Sequence, residues 1–226
     1  MTPYLFQNNV IGHTFPFPNG YVFFGNRFGS LEILQKAFPE IQFCFLKQVH
    51  GRQIVKQPAA LALSEADGHW TERFHLGLMI KTADCYPIFW TDGNAICALH
   101  AGWRGVAQNI VQASCQLVPA KPLSAFLGPA ILGPSFEVGL DVAETILGPF
   151  SKEHQKQYTY PHPDPKKAYI DLKKIIEKQF RDHNSEVQIQ DLDHNTLLDT
   201  SYFSYRRQAE EAGRNLSFIV KVPQNS

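Results

Sequence analysis

The sequence has no apolar run approaching the about 18–20 residues needed to cross a bilayer, so no membrane partner is expected. It also lacks a charge excess, since Lys+Arg and Asp+Glu both number 21. Bulk electrostatics therefore would not hold a polyanion, and no nucleic-acid partner is expected. Cysteine is scarce: Cys44, Cys85, Cys97 and Cys115 form no C-x-x-C pair. A chain of 226 residues needs no disulfide staples. The opening MTPYLFQNNVIGHTF has neither the basic start nor the apolar block of a secretory leader, which makes a cytoplasm with reduced thiols the expected setting. Internal repeats and low-complexity linkers are absent as well, and the length suits one domain over 1–226. What remains is an ordinary globular balance, 44% hydrophobic and 19% charged, rich in aromatics with 17 Phe, 8 Tyr and 3 Trp. A Phe-rich core accounts for these better than a base-stacking platform.

Apolar patterning predicts strands over Phe43–Val49 and Gln53–Val55, then Leu76–Ile80 and Tyr86–Trp90. Thr91-Asp92-Gly93-Asn94 is a hairpin turn that returns the chain as Ala95–Leu99. Val106, Ile110, Ala113 and Leu117 fall at helical spacing and predict one helix over Val106–Val118. Further strands are expected over Leu123–Leu127, Val187–Leu192 and Leu216–Val222, and helices over Val142–Leu147 and Leu172–Phe180. The polar, proline-broken stretch from Ser151 to Lys167 reads as a surface loop. Hairpins outnumber β-α-β crossovers, so the fold class is α+β, with mixed, largely antiparallel sheets and flanking helices.

Three short motifs each put a metal-capable side chain where a strand gives way to a turn: Lys47-Gln48-Val49-His50-Gly51, Thr82-Ala83-Asp84-Cys85, and His100-Ala101-Gly102-Trp103-Arg104-Gly105. Strand ends are where rigid scaffolds present reacting groups to a cleft. His50, Cys85 and His100 make a suitable first set of ligands for a borderline-soft ion such as Zn²⁺. Three protein ligands with a fourth position open is the catalytic rather than the structural arrangement. His69 and Cys97 are the available fourth ligands, but Cys97 lies at the opposite strand parity to His100 and should face away. The same residues also suit a metal-free Cys-His hydrolase, with Cys85 as nucleophile and His100 as base, acting on an amide or cell-wall peptide linkage.

In order along the chain stand KQVHG (47–51), ADG (66–68), TADCYP (82–87) and HAGWRG (100–105), followed by GPAI (128–131), FEVG (136–139), FSYRR (203–207) and GR (213–214). Together they resemble the YfiH-like, laccase-domain family, once labelled multicopper polyphenol oxidases, from about Asn26 to the last strand. The resemblance implies a single-domain α+β fold with a His-Cys-His metal site in a surface pocket. It also implies phosphorolysis of purine nucleosides (adenosine, inosine, guanosine and methylthioadenosine) and hydrolytic deamination of adenosine. The expected partners are thus small purine nucleosides and phosphate. By the resemblance His50, Cys85 and His100 take the metal-binding and catalytic positions.

For deamination a zinc-activated water is apt, and Asp84, beside Cys85, is a candidate proton shuttle. For phosphorolysis a cation is needed near the phosphate. Arg104 at a helix start is one candidate, with Gln48 and Arg206 as further substrate-binding candidates. Asp67, in the ADG turn, equally suits a turn former whose side chain bonds the backbone. The older label implies copper and phenol oxidation, yet nine histidines without His-x-His pairs make a poor multinuclear copper site. Three departures from the family pattern stand out. The segment before Asn26 lacks the Gly-Val-Ser…Leu-Asn-Leu-Gly stretch that normally contributes to the pocket wall. Ser135-Phe136 replaces a common Cys-Tyr, and Asn195-Thr196 a common Cys-Thr.

Overall fold

The computed structural model describes residues 1–57 and 63–223. In chain order the strands and helices are β1 (Thr2–Phe6), β2 (Asn9–Phe17), β3 (Gly20–Gly25), α1 (Leu31–Ala37), β4 (Gln42–Cys44), β5 (Ile54–Lys56), β6 (Gly68–Thr71), β7 (Leu76–Thr82), β8 (Tyr86–Thr91) and β9 (Ile96–Ala101). They continue as α2 (Trp103–Ala107), α3 (Ile110–Leu117), β10 (Ser124–Leu127), β11 (Glu137–Gly139), α4 (Leu140–Leu147), α5 (Lys152–Gln157), β12 (Thr159–Tyr160), β13 (Lys167–Ile170), α6 (Leu172–His183), β14 (Gln188–Asp191), α7 (Tyr205–Gln208) and β15 (Asn215–Lys221).

One six-stranded sheet runs β1-β2-β3-β15-β7-β4, a second runs β14-β10-β8-β9-β6-β5, and β11-β13-β12 form a small third. Among the described residues, parallel strand pairing is confined to β4–β7, β5–β6 and β10–β14. The expected mixed, largely antiparallel α+β class is therefore what the chain adopts. Phe15, Phe24, Ile80, Phe89, Phe126 and Ile219 interleave between the two large sheets. The alternation of side chains along each strand then sends the next residues to the outer faces. Trp90, Leu99, Ile110, Ile176 and Phe180 fill a core beneath α2, α3, α4 and α6. On the far side Phe23, Leu34, Phe38, Met79 and Phe218 pack under α1. The abundant phenylalanines thus serve the cores.

Four expectations are revised. Phe43–Val49 is a strand only over Gln42–Cys44, and its later part makes only an isolated parallel bridge from Lys47 to Glu65. The helix expected over Val106–Val118 is two, because Asn109 sits between α2 and α3 in the left-handed region at φ 58°. Asparagine tolerates that conformation better than most residues, so helical spacing continues through a break it cannot reveal. Ser151–Lys167 is not a plain loop: Ser151 caps α5 by accepting from the His154 N–H, and β12 follows. That helix buries no residue, so it carries no apolar stripe to read. Finally, residues 2–25, for which no strand is expected above, form three strands that turn at Gln7-Asn8 and at Pro18-Asn19.

Candidate metal centre

The site lies where three neighbouring strands of the second sheet begin or end. β6 and β9 pair antiparallel, bringing Asp67, just before β6, to the level of His100 near the end of β9. The His100 N–H donates to the Asp67 carbonyl at 2.7 Å. β8 pairs with the other edge of β9 and opposes Tyr86 to Ala101, which places Cys85 beside His100. The third motif arrives on a loop. His50 has a left-handed backbone at φ 60°, held because its N–H and those of Val49 and Gly51 all donate to the Asp67 carboxylate, at 2.9, 3.2 and 2.6 Å. A non-glycine residue in that region is costly, and its persistence reflects the bonds that over-determine it.

Asp67 is completely buried and also takes His100 Nδ1 at 2.7 Å. Burial raises its carboxyl, but the hydrogen bonds from His100, Gly51 and His50 outweigh this and hold it below its ordinary value. One carboxylate thus fixes two of the three motifs. It orients the His100 ring so that Nε2 faces the site, the usual companion of a metal-binding imidazole. The sequence offered only the ADG turn as a signal, and a turn former is the lesser part of what Asp67 does.

The ligand atoms of His50, Cys85 and His100 lie within 4.8 Å of one another, and among the described residues this is the one group suited to hold an ion. About 3.3–3.8 Å would separate ligands on a tetrahedral zinc, so small side-chain adjustments close the set. The three grade from exposed His50 through half-buried Cys85 to His100, 3% exposed. Burial pushes the Cys85 thiol up, yet the adjoining His100 and His50 imidazoles bring it down to about 6. For His100, burial works against the charged form, and Asp67 with Cys85 overcomes it to raise the imidazole to about 9. A thiolate at neutral pH is the form that binds a metal. Gly102 keeps the centre open, since a Cβ there would meet Cys85 Sγ at 3.1 Å and His50 Cδ2 at 3.2 Å. The two spare ligands are excluded: Cys97 points into the helix-side core, as its parity predicts, and His69 is fully buried in β6 outside the ligand group.

A cavity of about 510 Å³ opens over the trio, lined also by Gln48, Lys81, Asp84, Ile131, Phe136, Tyr205, Arg206 and Arg214 among others. No residue of the first 46 lines it, so the divergent N-terminal segment does not supply the expected wall. Asp84 is in the left-handed region at φ 87°, and its two oxygens accept from Thr196 Oγ1 and the Arg206 N–H, both at 2.7 Å. That carboxylate therefore ties the Tyr205–Arg206 segment to the strand end. Gln48 uses its amide on the backbone of Lys81, donating to the carbonyl at 2.8 Å and accepting from the N–H at 2.9 Å. Arg206 lines the cavity as expected. Arg104 does not: it is exposed on α2 with its guanidinium 4.4 Å from the centre of the Trp103 ring. The two other departures from the family pattern meet in space, where Asn195 Nδ2 donates to Ser135 Oγ at 2.8 Å.

A family model described as multi-copper polyphenol oxidoreductase laccase matches residues 30–221. The chain belongs to that family, the YfiH-like laccase-domain proteins. Among its relatives, purine nucleoside phosphorylase of Haemophilus influenzae is 32% identical over 180 residues, covering 77% of this chain and 72% of that one. A purine nucleoside phosphorylase of Rickettsia conorii is 31% identical over 175 residues, with 72% of each chain covered. Among solved structures, a Neisseria meningitidis protein superimposes with a TM-score of 0.84 at 25% identity, over 94% of this chain and all of that one. YfiH of Bacillus licheniformis, at 20% identity and a TM-score of 0.74 over 91% of this chain and 97% of that one, shares the fold.

Proposed function

We propose that the protein is a zinc-dependent purine nucleoside phosphorylase, acting on adenosine, inosine, guanosine and methylthioadenosine, with adenosine deaminase activity at the same centre. The observation that carries this reading is the His50–Cys85–His100 donor set, with His100 oriented by Asp67, at the floor of a nucleoside-sized cavity. The activity for which these relatives are named supports the substrate class. Two imidazoles and a thiolate fit zinc, which when bound lowers the pKa of a water towards about 7 and supplies hydroxide at neutral pH.

The chain's own residues do the rest. Asp67 accepts the Nδ1 proton of His100 and keeps Nε2 free for the ion. Cys85 is held as thiolate by its imidazole neighbours. Phosphorolysis forms a bond from phosphate oxygen to the ribose C1′ and breaks the bond from C1′ to the purine. Arg206 and Arg214 line the cavity without a carboxylate partner among the described residues and are available to the phosphate. Ile131, Phe136 and Tyr205 offer apolar surface to the purine. Asp84, with both oxygens engaged, is assigned to holding the wall rather than to carrying a proton.

Incubation with adenosine, with and without phosphate, followed by separation of products tests the reading. Adenine with ribose 1-phosphate marks phosphorolysis and inosine marks deamination; no turnover of any purine nucleoside overturns it. Protein purified without added metal should carry about one zinc per chain, lost in His100→Ala. Copper-dependent polyphenol oxidation is disfavoured by a donor group sufficient for a single ion among the described residues. The second reading, a Cys-His hydrolase of an amide or cell-wall peptide, is favoured by the lowered Cys85 thiol beside the raised His100 imidazole. Metal-free protein that hydrolyses such a substrate and is inactivated by alkylation at Cys85 would select it.

A further inference from the structure

The protein as a whole carries no net charge, yet its main cavity does not share that balance. Among the described residues Lys47, Lys81, Arg206 and Arg214 line it against a single carboxylate, that of Asp84, whose oxygens are already taken by Thr196 and the Arg206 N–H. The four cations are not equivalent. Lys47 is committed at 2.6 Å to Glu65 on the exposed rim. Arg206 donates to the Glu137 carbonyl, and Arg214 to the carbonyls of Ala212 and Gly213. Lys81 differs from all three: its ammonium has no hydrogen-bond or ion-pair partner among the described residues, although the residue is half-buried near the end of β7. Its backbone, by contrast, is clamped on both sides by the Gln48 amide. An ammonium without a partner among the described residues, carried on a fixed strand end that lines a cavity, is free to take an anion. A flexible stem bearing a compact charge is a suitable holder for a phosphoryl dianion.

Resting on the phosphorylase reading for its place in the reaction, we propose that Lys81 is the residue that binds a phosphoryl group in this cavity, with Arg206 and Arg214 around it. The group is either inorganic phosphate as co-substrate or a phosphoester carried by the nucleoside. Gln48 acts as the positioning residue that sets where the Lys81 stem leaves the strand.

The test uses the full-length protein, Lys81→Met, which keeps the stem and removes the charge, and Lys81→Arg, which restores it. Thermal unfolding is followed with inorganic phosphate, with adenosine 5′-monophosphate, and with sodium chloride at matched ionic strength. In the unsubstituted protein at least one phosphoryl ligand should raise Tm beyond chloride; Lys81→Met should lose that rise and Lys81→Arg should regain part of it. Where inorganic phosphate gives the rise, Lys81→Met should raise the KM for phosphate in phosphorolysis of adenosine about tenfold or more while the KM for adenosine stays within about twofold. A rise with inorganic phosphate alone identifies the free anion, whereas a rise with the monophosphate alone identifies the phosphoester. No rise with either ligand, or a rise that Lys81→Met retains in full, overturns the proposal. A Lys81-dependent rise in a protein that turns over no purine nucleoside leaves the subsite standing and removes the phosphorylase reading instead.

Discussion

At the residue scale the centre depends on one carboxylate with four donors. Asp67→Asn retains the shape but offers one acceptor oxygen where two now receive three backbone N–H groups and an imidazole. We expect metal affinity to fall about 10–100-fold, as for lost partners of metal-binding histidines, measured by competition with a chromogenic chelator. Stability should fall by about 1–3 kcal/mol, from buried donors left unpaired. The coupled thiol and imidazole make a second prediction, for metal-stripped protein. Cys85 is lowered from 9.0 to about 6, so its stabilising effect is complete above its ordinary pKa and is lost as pH falls through about 6. His100 is raised from 6.5 to about 9, so its effect is complete below 6.5 and is lost as pH rises through about 9. The thiolate–imidazolium pair therefore spans roughly pH 6 to 9. Ultraviolet thiolate absorbance should titrate near pH 6, and the midpoint should move up towards the ordinary thiol range in His100→Gln. An unmoved midpoint would mean that the histidine is not the cause.

The elements of this fold are chosen by what punctuates them as much as by what fills them. Asn109 separates α2 from α3 at φ 58°, and this break lets Val106 and Ile110 both enter the core beneath the second sheet. Asn109→Gly should be nearly neutral, because glycine adopts that conformation freely. Asn109→Val should lose about 1–2 kcal/mol, because a β-branched residue does not. Chemical denaturation of the two variants compares them directly. The site sits at element ends for the same reason: strand pairing brings Asp67, Cys85 and His100 level, while the polypeptide beyond each strand is free to turn. Lys81 and Gln48 extend this pattern, since a side-chain amide stands in for a neighbouring strand at the end of β7.

Across the whole molecule, the candidate metal centre lies at one edge of a scaffold whose cores are complete without it. The inter-sheet layer, the helix-side layer and the layer under α1 hold no proposed ligand. Removal of the ion by chelation should therefore abolish nucleoside turnover while far-UV circular dichroism and cooperative unfolding persist, with Tm lowered by only a few degrees. A structural zinc would instead unfold the chain on removal. Much of this was legible beforehand. His50, Cys85 and His100 announce themselves by residue type and by turns that expose them, and Cys97 is dismissed by the two-residue period of a strand. The unmarked features were those that local pattern does not encode. A polar helix such as α5 buries nothing and so has no stripe. The break at Asn109 preserves helical spacing on both sides. Arg104 and Lys81 exchanged importance because neither motif nor charge says which cation faces the cavity. The sequence by itself determined the candidate ligand types, the strand periodicity and the family. Only the tertiary structure decided that Asp67 binds His50 and His100 together and that Lys81 lines a cationic cavity without a partner among the described residues, because both facts arise from residues far apart in the chain that meet only when the strands pair.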